Sequence, residues 1–297
     1  MIAGATGLIG RRIAAHLQRS GWEVIGLCRR PVAGGAVRLI GVDLTDAGDC
    51  RDQLAALDNV THVFYTARYD HPEGVAESVD TNAGMLSNLV EALEPAAAGL
   101  RHVHAVHGTK YYGHHLGPLA VPARESDPRA AAPNFYYAQE DYLRERQRGK
   151  RWTYSTSRPH SFCDASWREP RNIGLLIAVY AAIQRELGLP LDYPGTEKSF
   201  RVATQFTALP LLARALAWMA TEPRCANQAY NIVNGDAPSW SDLWPRFAAY
   251  FGMEAGPPRP VRLADVMADK DGVWQAIIRK HGLRSNALQA LVLWSYG

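Results

Sequence analysis

The chain has 297 residues and a mass of 32.7 kDa, the size of one large α/β domain or of a domain with an appended lobe. Its 47% hydrophobic and 21% charged residues fit an ordinary globular core. Thirty-two basic and 29 acidic side chains, interspersed without a Lys/Arg run, leave a net charge of +3 and argue against a nucleic-acid or membrane-surface partner. The cysteines Cys28, Cys50, Cys163 and Cys225 show no Cys-x-x-Cys pairing, as expected for reduced thiols in a cytoplasmic protein without a zinc site. Neither a signal peptide nor an apolar run of about 18 residues is present.

Only Met1-Ile2-Ala3 precedes the turn Gly4-Ala5-Thr6-Gly7-Leu8-Ile9-Gly10. Such a turn ordinarily follows a buried strand of about five or six residues. The first strand is therefore expected to be short and its stability marginal. This start, and the aromatic ending Trp294-Ser295-Tyr296-Gly297, both read as cut short. Leu8 to Ser20 carries helical apolar spacing at Leu8, Ile9, Ile13 and Leu17, and Gly21 closes it. Strands are predicted at Glu23–Cys28, Val37–Val42, Thr61–Ala67, Arg101–Val106 and Trp152–Ser157. A long helix is predicted at Val75–Leu93, and another opens near Asn134 after a Gly- and Pro-rich loop from His107 to Pro133. The alternation implies an α/β fold, a doubly wound parallel Rossmann-type sheet spanning 1–157. From Arg158 the spacing changes, with helices at Ile173–Leu187 and Leu209–Thr221 and a short strand at Ala229–Val233. Residues 158–297 are expected to form mainly a smaller substrate-binding lobe, with a strand returned to the sheet as an option.

Gly4-x-x-Gly7-x-x-Gly10 between a strand and a helix predicts a dinucleotide site. The turn lets backbone approach a pyrophosphate at a helix N-terminus, and Gly10 allows close helix–sheet packing. NAD-specific sheets place an Asp or Glu about 20 residues further on, for the ribose 2′-hydroxyl. Here the second strand ends Cys28-Arg29-Arg30, and two guanidiniums suit the 2′-phosphate of NADP(H). Asp43 is expected either to meet the adenine amino group, with Leu44 against the ring face, or to cap the next helix. Thr6, Leu8, Ile9, Thr66, Ala67, Pro159 and Ser161 complete the candidate cofactor contacts.

The most specific stretch is Asn134-Phe135-Tyr136-Tyr137-Ala138-Gln139-Glu140-Asp141, read with His107-Gly108-Thr109-Lys110-Tyr111-Tyr112-Gly113. Four residues past Tyr136 and Tyr137 stand Glu140 and Asp141, carboxylates that raise a phenol pKa where a lysine would lower it. Arg158-Pro159, Thr61 to Tyr65, Val179 to Ile183 and Tyr230 to Asp236 add to the pattern. Together these motifs resemble the progesterone 5β-reductase/iridoid synthase-like (PRISE) branch of the extended short-chain dehydrogenases over nearly the whole chain. The resemblance implies hydride transfer from NADPH to the β-carbon of an α,β-unsaturated carbonyl, the small-molecule partner. It further implies Tyr136 as donor to the enolate oxygen and Lys110 beside the nicotinamide ribose, so that both also touch cofactor. Tyr137 is the alternative register.

The sequence departs from the family at His107, where a hydroxyl residue is usual, and at His160-Ser161, where Gly-Asn is expected. His160 is read as filling space rather than binding the carboxamide, and His114-His115 as solvated loop residues without a metal. Two other functions stay open. One is an epimerase or carbonyl reductase, disfavoured because those reactions use Tyr-x-x-x-Lys to move an alcohol proton. The other is a non-catalytic NADP(H)-binding sensor. A homodimer is the one protein partner considered.

Overall fold

A computed structural model of the chain describes residues 1–32, 34–69, 71, 75–117, 121–166, 171–284 and 287–294. Part of the His107–Pro133 loop (118–120) and the ending 295–297 lie outside the described residues. Strand β1 (Ile2–Ala3) is two residues long and fully buried, and it pairs on both sides. Ile2 lies opposite Gly26 and Phe64, and Ala3 opposite Leu27 and Tyr65. The glycine turn leads into α1 (Leu8–Arg19), which buries Ile13, Ala14 and Leu17. There follow β2 (Ile25–Cys28), β3 (Arg38–Gly41), α2 (Ala47–Leu54), β4 (His62–Tyr65), α3 (Val79–Ala96) and β5 (His102–Val106). A 3₁₀ turn at Thr109–Tyr112 sits in the expected loop before α4 (Phe135–Arg146) and β6 (Thr153–Pro159). Next come β7 (Phe162–Cys163), α5 (Ile173–Glu186), β8 (Leu191–Tyr193), α6 (Glu197–Arg201), β9 (Thr207–Ala208), α7 (Leu209–Met219) and β10 (Gln228–Ile232). The chain continues through α8 (Trp240–Tyr250), β11 (Ala255–Pro258), α9 (Leu263–Val266), α10 (Asp271–His281) and α11 (Leu288–Leu291).

Most boundaries shift by a few residues from the sequence expectation, two of them for evident local reasons. Helix α3 begins at Val79 rather than Val75, because the Ser78 hydroxyl accepts from Thr81 N at 3.1 Å and caps it. Strand β6 runs past Ser157 to Pro159, because Arg158 and Pro159 pair with Asn231 and Ile232 of β10.

The chain divides into two units, Met1–His160 with Leu209–Ile232, and Ser161–Ala208 with Val233–Gly297. The first contains a seven-stranded parallel sheet in the order β10-β6-β5-β4-β1-β2-β3. Alternation sends Ala3, Val63, Tyr65, Val103 and Ala105 toward Leu54, Leu86, Leu89, Leu93 and Leu143 of α2, α3 and α4. The order reverses between β1 and β4, so the crevice beyond their carboxyl ends is the ligand position of an open α/β sheet. The second unit pairs β8 with β11 and β7 with β9 around a core of Leu176, Tyr180, Tyr193, Trp244, Trp274 and Leu291. No described helix is long and apolar enough to cross a membrane.

One layer of the first unit's interior is polar. His102 Nδ1 lies 2.8 Å from Thr153 Oγ1, and its Nε2 lies 2.7 Å from Ser155 Oγ. His104 repeats the pattern one step along, 2.8 Å from Ser155 Oγ and 3.0 Å from Ser157 Oγ. Hydroxyls donate or accept as needed, so each buried imidazole stays neutral and satisfied. Burial holds His102 down to about 3 and His104 well below the ordinary histidine value. His107, 3% exposed, is likewise lowered to about 3, chiefly by burial.

For these three groups the folded pKa lies below the unfolded one. Their contribution is therefore complete above about pH 6.5 and is lost as pH falls below it, for His102 and His107 down toward about 3. Each unprotonated histidine removes on the order of 1.4 kcal/mol per pH unit within that window, about 4 kcal/mol for the three together. Urea midpoints measured at pH 7.5, 6.0 and 5.0 should fall steeply below pH 6, and His104→Gln should make the slope shallower by about one proton's worth. Equal midpoints at pH 7.5 and 5.0 would contradict the neutral-histidine reading.

Candidate active site

The turn after β1 is shaped by contacts that side chains would obstruct. Gly4 has φ +77°, and a Cβ there would lie 3.0 Å from both Ala67 N and Thr66 Oγ1. A Cβ on Gly10 would lie 2.2 Å from Gly4 O, so α1 rests directly on the turn. A Cβ on Gly26 would lie 2.6 Å from the Ala5 methyl, a close approach that the sequence reading passed over. Thr66 locks β4 to the same turn by donating its hydroxyl to Ala3 O at 2.7 Å. Helix α1 starts at Gly7 without a side-chain cap, while Thr6 and Gly7 are exposed and Leu8 and Ile9 half-buried. A first turn of backbone N–H groups uncapped by any side chain, at the sheet's reversal point, suits a phosphate.

Further along, Cys28 is buried, and its thiol is pushed up by that burial. Arg29 and Arg30 are exposed just beyond it. Asp43 receives the backbone N–H and hydroxyl of Thr45 at 2.9 and 2.7 Å. Those bonds hold its carboxyl below the ordinary range, and the charge of Arg29 lowers it further. Asp46, not Asp43, caps α2, accepting from Gly48 N at 2.7 Å and Asp49 N at 3.2 Å. Leu44 is buried, with its carbonyl accepting from Asn88 Nδ2 at 2.9 Å.

The two motif halves meet through Asn134. Its Oδ1 accepts from Tyr136 N at 3.0 Å and caps α4, while its Nδ2 donates to Lys110 O at 2.9 Å. One side chain thus ties the Lys110 backbone to the start of the tyrosine helix. The Lys110 ammonium lies 3.4 Å from both oxygens of Glu77, which also pairs with Arg68 at 2.6 Å. Nothing in the sequence signalled Glu77, because it is distant in the chain and outside the recognised motifs. Tyr136 is half-buried, and a Cβ on Gly108 would lie 3.3 Å from its hydroxyl and 3.7 Å from Pro159 O. Its hydroxyl therefore lies where β5 gives way to the lysine segment, near the last residue of β6. Tyr137 serves the scaffold: its hydroxyl donates to Tyr111 O at 2.5 Å and accepts from Ala130 N at 2.9 Å.

Glu140 is 5% exposed and belongs to a buried cluster. Its carboxylate accepts from the Tyr111 hydroxyl, from Arg129 Nη2 at 3.0 Å and from Arg158 Nη2 at 3.4 Å. Burial pushes its pKa upward, but the Tyr111 and Arg129 hydrogen bonds and the Arg158 charge outweigh this and leave it lowered. Asp141 takes both terminal nitrogens of Arg129 at 2.7 and 2.8 Å. The position that holds a lysine in Tyr-x-x-x-Lys enzymes is thus occupied by the anionic centre of an internal salt bridge. His160 does more than fill space: its Nδ1 lies 2.6 Å from Thr109 Oγ1. Burial and then His114 hold His160 down to about 4. Ser161 belongs to the second unit, where its carbonyl accepts from Thr207 N at 3.0 Å.

The family model of the PRISE-like Rossmann-fold domain matches residues 39–294. This chain belongs to that family. Among PRISE-like relatives, the (S)-8-oxocitronellyl enol synthase CYC2 of Camptotheca acuminata is 34% identical over 99% of this chain and 80% of its own length. The 3-oxo-Δ(4,5)-steroid 5β-reductase of Arabidopsis thaliana is 33% identical with the same coverage. Solved structures resemble the fold at lower identity. A short-chain dehydrogenase/reductase superfamily protein from Agrobacterium tumefaciens superposes with a TM-score of 0.69 at 16% identity, covering 95% of this chain and 99% of that one. The UDP-glucose 4-epimerase of Thermus thermophilus gives 0.65 at 20%, covering 87% and 86%.

The close approach at Gly10 gives a test of the turn's packing. Gly10→Ala forces α1 away from Gly4 and should destabilise the protein by about 1–3 kcal/mol, the usual cost of overpacking. Gly84→Ala, whose Cβ meets nothing within 4 Å, should be neutral or slightly stabilising in the same urea titration. Equal midpoints for the Gly10 variant and the wild type would show that the turn is not tightly packed.

Proposed function

We propose that this enzyme reduces the carbon–carbon double bond of an α,β-unsaturated carbonyl with NADPH, Tyr136 acting on the carbonyl oxygen and Lys110 supporting it. The observation that carries the reading is the fate of the position four past Tyr136. Glu140 there is spent on Arg158, Arg129 and Tyr111, while the lysine arrives from another segment through Asn134. A Tyr–Lys pair on one helix, suited to moving the proton of an alcohol, is thereby excluded.

The residues present fit the dinucleotide. Gly4, Thr6, Gly7, Leu8 and Ile9 would hold its pyrophosphate at the uncapped start of α1, with Thr66 and Ala67 beside the turn. Arg29 and Arg30 would take the 2′-phosphate by forked, charge-assisted bonds, and Asp43 and Leu44 would flank the adenine. Lys110, Tyr136 and Pro159 would contact the nicotinamide half. When bound, the nicotinamide supplies the hydride that the substrate's β-carbon accepts. The Tyr136 hydroxyl donates a hydrogen bond to the carbonyl oxygen, where negative charge collects as the double bond is lost, until a proton from water at the α-carbon completes the saturated carbonyl. The Lys110 ammonium stabilises the same charge.

Consumption of NADPH with 2-cyclohexenone, with the product identified as the saturated ketone, tests the reaction. An allylic alcohol product would indicate a carbonyl reductase, and tight NADPH binding without turnover a sensor. Tyr136→Phe should lower kcat about 100- to 1000-fold. Lys110→Met should also slow the reaction, and the two losses should be less than additive. Full activity in Tyr136→Phe with none in Tyr137→Phe would exchange the two roles.

NADPH should bind at least about tenfold more tightly than NADH, worth about 1.4 kcal/mol, and replacing Arg29 and Arg30 by alanine should erase the difference. Equal affinities in the unmodified protein would overturn the NADP(H) assignment.

A further inference from the structure

Behind Tyr136 a row of flat groups runs back into the buried ion cluster. The Arg158 guanidinium carbon lies 3.4 Å from the centre of the Tyr111 ring. The Tyr111 ring is followed by His107, with centres 6.4 Å apart and planes 14° from parallel. His107 in turn faces Tyr136, with centres 4.8 Å apart and planes inclined by 28°. The far end of the row is rigid. Arg158 is 1% exposed, and its guanidinium is bonded to Glu140 at 3.4 Å, to the Tyr112 hydroxyl at 3.0 Å and to Glu125 O at 3.1 Å. The Tyr111 hydroxyl is held by Glu140 and by Arg129 Nε at 3.2 Å. His107 is anchored through its backbone, donating to Ser157 O at 2.8 Å at the end of β5. Tyr136, at the near end, is half-buried on the first turn of α4.

We propose that His107 is a positioning residue for Tyr136: its imidazole, seated between Tyr111 and Tyr136, fixes the plane of the phenol and so aims its hydroxyl. The inference rests on the enone-reductase reading for its catalytic consequence. A phenol covered on one face by a flat, buried ring has fewer accessible rotamers, and orientation of a donor at the developing charge is a major part of its value. A hydroxyl residue at position 107 would cover far less of the Tyr136 face. This chain has placed a ring there and tied that ring, through Tyr111, to the Glu140–Arg158 pair. Buried and neutral, the imidazole presents shape and polarizability without a proton to exchange near neutral pH.

Two substitutions separate shape from chemistry. His107→Phe keeps a flat ring and should retain kcat close to the wild type with an unchanged pH profile. His107→Thr removes the ring and should lower kcat about 10- to 100-fold, while the dissociation constant for NADPH stays within error. A Thr variant with full kcat overturns the proposal. So does a Phe variant that loses as much as the Thr variant, or one that loses a limb of the pH profile, since His107 would then act through its nitrogens.

A readout independent of turnover is the Cζ resonance of Tyr136 in protein labelled with ¹³C-tyrosine, assigned by its loss in Tyr136→Phe. It should move in His107→Thr and hold its place in His107→Phe. If the wild type reduces no enone but this pattern appears, the functional reading fails while the positioning role stands. If the resonance is indifferent to both substitutions, the positioning role fails whatever the activity. Should His107→Thr fold poorly, His107→Leu, of similar bulk but without a flat face, takes its place with the same expectations.

Discussion

The buried carboxylate of Glu140 is the constraint on which the candidate-site end of the sheet depends. A charge inside a protein is tolerated only when it is paired and hydrogen-bonded, and stranding one by removing its partner is strongly destabilising. Glu140 meets that demand with groups from three separate segments: Tyr111 after β5, Arg129 in the following loop and Arg158 near the end of β6. Each tie fixes a segment of the candidate site. The Tyr111 tie holds the turn that carries Lys110, and the Arg158 tie holds the strand end that carries Pro159 and His160. The helix that supplies Glu140 also supplies Tyr136, so the ion cluster and the tyrosine share one element. Interactions of this kind are weak evidence for net stability, but they specify which segments must meet.

The opposite end of the same unit is held by steric closeness. Gly4, Gly10 and Gly26 let α1, β1, β2 and β4 approach closely, and the polar ties there, such as Thr66 to Ala3, run to the backbone. This arrangement leaves the first turn of α1 clear and places it where the strand order reverses. Both residues of β1 are fully buried and paired on each side. Anion binding needs backbone N–H groups held in position, and packing of this tightness holds them without any side chain.

The polar ladder of His102 and His104 with Thr153, Ser155 and Ser157 lies within the sheet that joins these two ends. It pins the β5–β6 register, since a slip in pairing would separate every imidazole from its hydroxyls. The same arrangement sets the expected sensitivity to acid, because neutral imidazoles without carboxylate partners lose their hydrogen-bond fit once protonated.

The local motifs were legible in the sequence. The glycine spacing, the alternation of strands and helices, and the paired Lys110 and Tyr136 segments determined the fold class and the family, because each depends on residues close together in the chain. Pairing of distant segments was not legible. Glu140 was readable as the absence of a lysine, but its role required Arg129 and Arg158 to arrive from elsewhere. Glu77 beside Lys110, Thr109 beside His160, and His107 stacked on Tyr136 likewise join residues whose separation in sequence carries no pattern. The choice of Asp46 over Asp43 as the cap of α2 turned on where the chain enters that helix, a matter of backbone direction that composition leaves open. Short-range periodicity is written residue by residue, whereas the meeting of charges and ring faces is decided by the sheet that brings the strand ends together.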